Sequence, residues 1–566
     1  MNLSRFILLG LVLALAGLVP RPAKACGGFF CNNAQPVNQA AERIIFAQNA
    51  DGTTTAIIEI QYEGPSEEFA WMLPVQGSPD IAVSSTVAFN ALQNATNPSY
   101  QLTTRIEGEC DVDDDLFAGG RNESADAGFM GFDQSSPDPT PPPVTVVDSG
   151  SVGPYDFVII NVSPDAEDIG AVATDWLVDN GYDVSELGRD RLVPYLESGM
   201  NLLAFRLSKG RNAGEIRPVR LSFGEGLPSI PLRPTAAAAT PDMGILVWVL
   251  GETRAVPANY RDLELNEARL NWFNPFSNYN DLVTAAANEA GGQGFVTEMA
   301  GNAATLEEAI FSAFQGERFA VIEANAALPE PDHGSVLRES SIYGSWDGYL
   351  DVVRAEIPKP EGISDEEWIQ NTGSYLNDLV FELVIEGFDP VSFVERLEAE
   401  VIAPVRETAE LFTADRTMTR FFTTMSPDEM TVDPVFDFNA DLPDYSNVHT
   451  RERVIECTPA VTQSEAPWRV EFEDGLVVRG RGFSWPAALQ SDDVPANTRV
   501  RRIGSGGTGE IITDNGAAIA AAIDASNVNF PPPPPGGGDD GCSAGGTGGS
   551  LASLLLLAFF ARRRRD

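Results

Sequence analysis

The sequence predicts an α+β fold: a mixed, mainly antiparallel sheet with packed helices, a helical subdomain, and a small β-rich C-terminal region. Three observations predict it. Asp51-Gly52 separates two apolar and β-branched runs, 43–47 and 54–62, a strong hairpin signal because Asp-Gly takes up the backbone twist that a tight two-strand turn needs. Past Asn280 the apolar residues recur at intervals of three and four, the spacing of one helix face. From Val448 onward an alternation of period two returns, as in half-buried strands.

Composition narrows the class. Hydrophobic residues make up 43% of the 566, enough for globular cores and too long a chain for a single one. The 37 basic residues face 82 acidic ones, a net charge of −45. Such a surface repels phosphate backbones and anionic lipid, which argues against a nucleic-acid partner.

In chain order, residues 1–25 read as a secretory signal peptide. Arg5 precedes an apolar run at 6–19, and Ala23-Lys24-Ala25 forms the cleavage site, so the mature chain begins at Cys26 after Ala25. A lipoprotein signal competes with this reading, but Lys24 stands where such a signal wants a small neutral residue. Stretches 26–106 and 152–279 form the α+β core. After the hairpin, Phe69, Trp71 and Leu73 alternate in a third strand over 68–75, and Ser84 or Ser85 caps a helix through Leu92. The acidic, Gly- and Ser-rich stretch 107–151 carries too little apolar material to offset its ordering entropy and reads as a disordered insertion. Strands follow at 155–162, 201–207, 219–223 and 244–250, with helices at 165–180 and 184–197.

Residues 280–447 read as the helical subdomain. Helices are expected at 282–290 and 306–314. Ser364 with Glu367 makes a capping box, and Ile363 with Trp368 a hydrophobic staple, for a helix running to a Gly387 stop. Asp389-Pro390 starts another, and Ser426-Pro427-Asp428-Glu429 opens a short one. The β-rich region 448–530 has strand candidates at 468–472, 476–478, 499–503 and 510–512 and a closing helix at 517–525.

The chain ends with a Pro/Gly linker, 531–544, that carries Cys542, and with 545–566, an apolar segment followed by Arg562, Arg563, Arg564 and Arg565. From 545 to 561 the segment has 17 residues, the lower limit for a helix crossing a hydrocarbon core of about 30 Å, and the arginines hold the cytoplasmic side. This order resembles the MYXO-CTERM sorting signal of myxobacterial surface proteins. The resemblance implies a sorting protease that cuts the tail in the membrane and a lipid-type anchor on Cys542. An ordinary, unprocessed membrane anchor is the competing reading. Either way the chain is expected to be exported and held by its C-terminus at the cell surface or in the periplasm.

The motifs CGGFFC at 26–31, FAWMLPV at 69–75, LSFGEGLPSIPLR at 221–233, ANEAGGQGFVTE at 287–298 and FFTTMSPDEMTVDPVF at 421–436 resemble the bacterial family known as domain of unknown function 2330, over about 26–460. That resemblance implies an exported bacterial protein and supplies no catalytic residues. Apart from Cys542, four cysteines remain, an even number suited to two disulfides in an oxidising compartment. Three connectivities are open to them. Cys26 with Cys31 across a Gly-rich turn, and Cys110 with Cys457 as a long-range staple, is the favoured one.

Chemical signatures are mostly missing. His333 and His449 are the two histidines; neither stands in H-E-x-x-H or beside cysteine ligands, and both read as surface or core polar residues. No G-x-S-x-G elbow or phosphate-binding P-loop occurs. Residues 504–509 fit G-x-G-x-x-G, but strand-like residues follow where a dinucleotide site needs a helix, so the glycines read as a hairpin loop. Asp437, Asn439 and Asp441 have a spacing that can wrap oxygen ligands around Ca²⁺, without the Gly and Glu of an EF-hand. The sequence thus points to a non-enzymatic structural, adhesion or ligand-binding protein of the cell surface. The alternative is an extracytoplasmic hydrolase acting through two carboxylates about 5 to 9 Å apart in a cleft.

Overall fold

A computed structural model describes residues 38–63, 70–110, 144–182, 186–208, 216–237, 239–472 and 475–532. Its framework is a ten-stranded sheet. In spatial order the strands are Glu510–Asp514, Asn497–Arg502, Arg261–Leu265, Gly294–Asn302, Thr417–Met425, Ala239–Gly251, Asn38–Gln48, Thr53–Glu63, Val219–Glu225 and Asp80–Val83. Two neighbouring pairs run parallel, Asn38–Gln48 with Ala239–Gly251 and Arg261–Leu265 with Gly294–Asn302. The other pairs are antiparallel, so the expected mixed, mainly antiparallel sheet is present.

The middle of this sheet is buried on both faces. Ile44, Phe46, Val247 and Val249 belong to one core, and Ile45, Ala47, Trp248 and Leu250 to another, because successive strand residues point to opposite sides. A strand buried twice needs apolar residues at every position, which is why 244–250 is a continuous apolar run. The first face is covered by a four-stranded antiparallel sheet of Ala70–Val75, Asn201–Leu207, Tyr155–Val162 and Val144–Val152. Its Trp71, Ile159, Leu203 and Phe205 share the core of Ile44 and Val247. The second face carries the helices between Ala304 and Ala409 together with Thr86–Thr96; Phe393, Leu397 and Val405 meet Trp248 there. A third sheet, Val477–Arg481, Pro467–Glu471, Val448–Glu456 and Ser99–Glu107, packs Trp468 and Val470 into a core with the helices Tyr279–Glu289 and Gly516–Asn527. Its strands Ser99–Glu107 and Val448–Glu456 run parallel. The Cys110–Cys457 disulfide, linking residues 347 apart, closes their end, in the pairing favoured from the sequence.

Local signals are realised where they were strongest. The Asp51-Gly52 hairpin forms, with Gly52 at φ 86°. Ser85 caps Thr86–Thr96 by accepting from the Val87 N–H, and Ser364 caps Asp365–Leu379 by accepting from the Glu367 N–H. That helix passes through Gly373 and ends at Leu379, short of Gly387, leaving Phe381, Leu383 and Val384 exposed.

Several expectations are corrected. The insertion at 107–151 is narrower, because Ser99–Glu107 is a strand and Val144–Val152 is another, paired with Tyr155–Val162. Val144–Val152 is exposed along most of its length, so its order comes from hydrogen bonds to an apolar neighbour and leaves no alternation to read. The helical stretch 280–447 contains Gly294–Asn302 and Thr417–Met425, two central strands of the main sheet. The C-terminal region 448–530 does not stand apart, since Asn497–Arg502 extends the main sheet and Val448–Glu456 pairs with Ser99–Glu107. Ser426–Glu429 forms a turn, not a helix: the Ser426 N–H donates to the Glu429 carboxylate at 2.7 Å and the Glu429 N–H to the Ser426 carbonyl at 2.9 Å. Among the described residues no helix is long and apolar enough to cross a membrane. The signal peptide with Ala25, Cys26, Cys31, Cys542 and the arginine tail lie outside the described residues.

Candidate functional site

On the helix-bearing face of the main sheet a gap remains between the third sheet, the main-sheet strands Arg261–Leu265, Gly294–Asn302 and Asn497–Arg502, and the stretch 442–446. It holds a cavity of about 710 Å³ and an adjoining one of about 220 Å³, which share Pro98, Tyr100, Tyr279 and Glu298 as a common wall. The larger lies within the size range of small-molecule sites.

Glu298 reaches this wall through a backbone irregularity. Thr297 pairs with Phe421 and Met299 with Arg420, leaving Glu298 as the extra residue of a β-bulge, a device that re-aims a side chain out of a regular strand. Its Oε2 accepts from Arg420 Nε at 2.5 Å, and Oε1 accepts from the Tyr279 hydroxyl. Both charged groups are buried, which is costly unless the remaining polar atoms are also satisfied. They are: Arg420 donates to Thr96 Oγ1 at 2.8 Å and Asn97 Oδ1 at 2.9 Å, and its guanidinium lies 5.6 Å from the Trp248 ring. Burial, and then the Glu298 charge, pushes the Tyr279 phenol well above its ordinary pKa. Tyr279 therefore stays a hydrogen-bond donor throughout the physiological range.

The outer wall depends on strand register. In the parallel pair that the disulfide closes, His449 lies directly opposite Tyr100, and the two rings stack with centroids 4.6 Å apart. Burial and the Glu267 charge raise the Tyr100 pKa well above the usual value. Glu267 meets His449 Nδ1 at 2.8 Å and Arg451 Nη2 at 2.7 Å, and Arg451 lies over Trp272 and Phe472 at 5.6 and 5.5 Å. Further along, Arg501 donates to Asp262 at 2.8 Å, Arg499 to Glu264 at 3.0 Å, and Arg254 stacks on Tyr445.

The residues singled out from the sequence are dispersed. His333 Nδ1 accepts from the Ile385 N–H at 2.9 Å, a structural role. His449, which stands in no ligand motif, lines the cleft. Residues 504–509 form the expected hairpin loop between antiparallel strands. The calcium candidates serve that loop: Asn439 donates to the Gly504 and Gly507 carbonyls at 2.7 and 3.0 Å, and Asp441 accepts from the Gly507 N–H at 2.7 Å. Asp437 accepts from the Phe438 N–H instead. Among the described residues no group of three or more His, Cys, Asp and Glu side chains is arranged to hold a metal ion. Sequence reasoning missed Tyr100, Arg254, Glu267, Tyr279, Glu298 and Arg420. The available signal was charge inside apolar runs, as in 294–302 and 417–425.

Fold and cleft together define a disulfide-stapled mixed α/β protein with an internal site walled by tyrosines and ion pairs. The chain belongs to a bacterial family described as an uncharacterized protein conserved in bacteria, domain of unknown function 2330, whose model matches residues 20–367. The match includes Tyr100, Arg254, Glu267, Tyr279 and Glu298, and it stops short of Arg420, His449 and the 421–436 motif. No curated protein and no solved structure matches the chain.

Proposed function

We propose that this is an exported, surface-anchored bacterial protein that binds a small-molecule ligand in the cleft without transforming it. The observation that carries the reading is the cleft itself: a cavity of about 710 Å³ whose wall combines tyrosine rings with charged groups fixed on strands and, for Glu267, on a short 3-10 turn. Rigid aromatic faces and pre-placed polar groups lower the entropy cost of binding. The carboxylate-hydrolase alternative wants an acid and a base available to substrate. In this cleft Asp262, Glu264, Glu267 and Glu298 each already engage a guanidinium. Export is supported by the signal-like N-terminus, the Cys110–Cys457 disulfide and the order of linker, Cys542, apolar segment and arginines at the C-terminus.

The test of binding is a thermal-shift screen of the mature chain against fractionated extracts of the producing culture, with Tyr100→Ala in parallel. A fraction that raises the wild-type melting temperature and leaves Tyr100→Ala unmoved supports the reading. Equal shifts in both chains, or none in any fraction, contradict it. Surface proteolysis of intact cells, with N-terminal sequencing of the released chain, tests the address. Cleavage from outside and a start at Cys26 are expected, and a protected chain beginning at Met1 would refute export.

A further inference from the structure

Arg254 differs from every other guanidinium that lines the cleft. Arg451, Arg499 and Arg501 have carboxylate partners at 2.7, 3.0 and 2.8 Å, whereas among the described residues Arg254 has no ion pair. It starts the buried strand Arg254–Pro257, opposite Asn439, and is 9% exposed. Its Nη1 donates to the Pro443 carbonyl at 2.9 Å, its Nε is buried without a partner, and Tyr445 lies over the guanidinium plane at 5.6 Å. Desolvation by burial pulls its pKa down from the ordinary arginine value, yet an arginine does not give up its proton in a protein. A permanent charge is thus held out of water with no carboxylate in ion-pair contact, Asp262 and Asp444 acting on it only from a distance, in a chain of net charge −45. Such an arrangement is costly unless something supplies the missing partner.

Resting on the ligand-binding reading above, we propose that the cleft takes a ligand bearing a single carboxylate, and that Arg254 is the group that anchors it. With Nη1 committed to Pro443 and Nε closed off from solvent, Nη2 is the donor left open, and a carboxylate oxygen there makes a charge-assisted hydrogen bond. Charge balance favours one negative charge over two. Four arginines and four carboxylates line the larger cavity, and partners outside the lining cancel in turn, Arg420 against Glu298 and Asp514 against Arg499. The site carries no surplus charge, so a monoanion disturbs it less than a phosphate dianion. Phosphate is also disfavoured by the nearby Asp262, the strongest charge acting on Arg254.

The experiment titrates the full mature chain with acetate, the smallest carboxylate probe, against acetamide and inorganic phosphate at constant ionic strength. Melting temperature and tryptophan fluorescence are the readouts. Acetate is expected to stabilise the wild type, with acetamide inert and phosphate weaker. Arg254→Gln is expected to weaken acetate binding on the order of 10-fold, the loss of one charge-assisted hydrogen bond, and Arg254→Lys to recover only part of it, because an ammonium cannot hold the Pro443 carbonyl and the ligand with the same planar geometry. The wild-type comparison of acetate with acetamide stands even if a variant fails to fold. Equal effects of acetate and acetamide, undiminished acetate binding by Arg254→Gln, stronger binding of phosphate, or no response to acetate would each overturn the proposal. A culture fraction that still stabilises Arg254→Gln but not Tyr100→Ala would overturn the carboxylate anchor and leave the ligand-binding reading intact.

Discussion

Glu42 sits within the main sheet, between Ile60 on one neighbouring strand and Ile245 on the other. It is 3% exposed, and its Oε2 has no hydrogen-bond partner. Burial raises its pKa from 4.5 to about 8. Between those two values the folded chain keeps a proton that the unfolded chain releases. The folded state's advantage from this group is therefore complete below pH 4.5 and is lost as pH rises through about 8. At 1.36 kcal/mol per pH step, the loss is about 3 kcal/mol by pH 7 and about 5 kcal/mol above pH 8. Glu42→Gln keeps the shape and removes the titration. Urea unfolding of both chains from pH 5 to pH 8 isolates the effect, because every other charge is common to the pair. The variant should gain about 3 kcal/mol on the wild type across that range, with the amide adding only a constant offset. Parallel pH profiles would show that Glu42 is hydrated or partnered and would refute the reasoning.

Three further predictions follow from the same kind of argument. Arg420→Met strands Glu298 in the sheet and should cost about 3 to 5 kcal/mol, most of it recovered when Glu298→Leu is added; a single-variant loss below about 1 kcal/mol in urea unfolding would contradict the buried-pair account. Replacing Cys110 and Cys457 by serine should lower stability by about 2 to 5 kcal/mol and expose the strands Ser99–Glu107 and Val448–Glu456 to protease first; unchanged proteolysis would argue against the staple. Asn439→Asp turns the donor to the Gly504 and Gly507 carbonyls into an acceptor, so it should destabilise by about 2 to 4 kcal/mol. If the site instead bound calcium, that variant would be rescued by added Ca²⁺ in a thermal melt.

What the sequence revealed was local chemistry. Asp51-Gly52 makes its turn whatever lies around it, and Ser364 caps its helix with an N–H three residues away. The parallel pairing of Asn38–Gln48 with Ala239–Gly251 has no such signal, because partners some 200 residues apart leave no mark on each other's neighbours in the chain. Gly294–Asn302 and Thr417–Met425 were hidden for a second reason. Glu298 and Arg420 interrupt their apolar patterns, and their mutual pairing, with Tyr279, Thr96 and Asn97 satisfying the remaining polar atoms, makes those interruptions tolerable in a sheet interior. The cleft inherits both difficulties. Tyr100 and His449 meet through the register of a parallel pair, and Glu267, Tyr279, Glu298 and Arg420 come from separate elements, so no short motif could announce them. The Cys110–Cys457 pairing was legible because, with Cys26 and Cys31 close together, few alternatives remained.

Hydrogen exchange of the mature chain, with and without a culture fraction that stabilises it, tests the ligand-binding cleft most directly. New protection should be confined to the cleft-lining elements Ser99–Glu107, Arg254–Pro257, Tyr279–Glu289 and Val448–Glu456. Protection centred on the exposed Phe381, Leu383 and Val384 with the cleft unchanged would contradict the account.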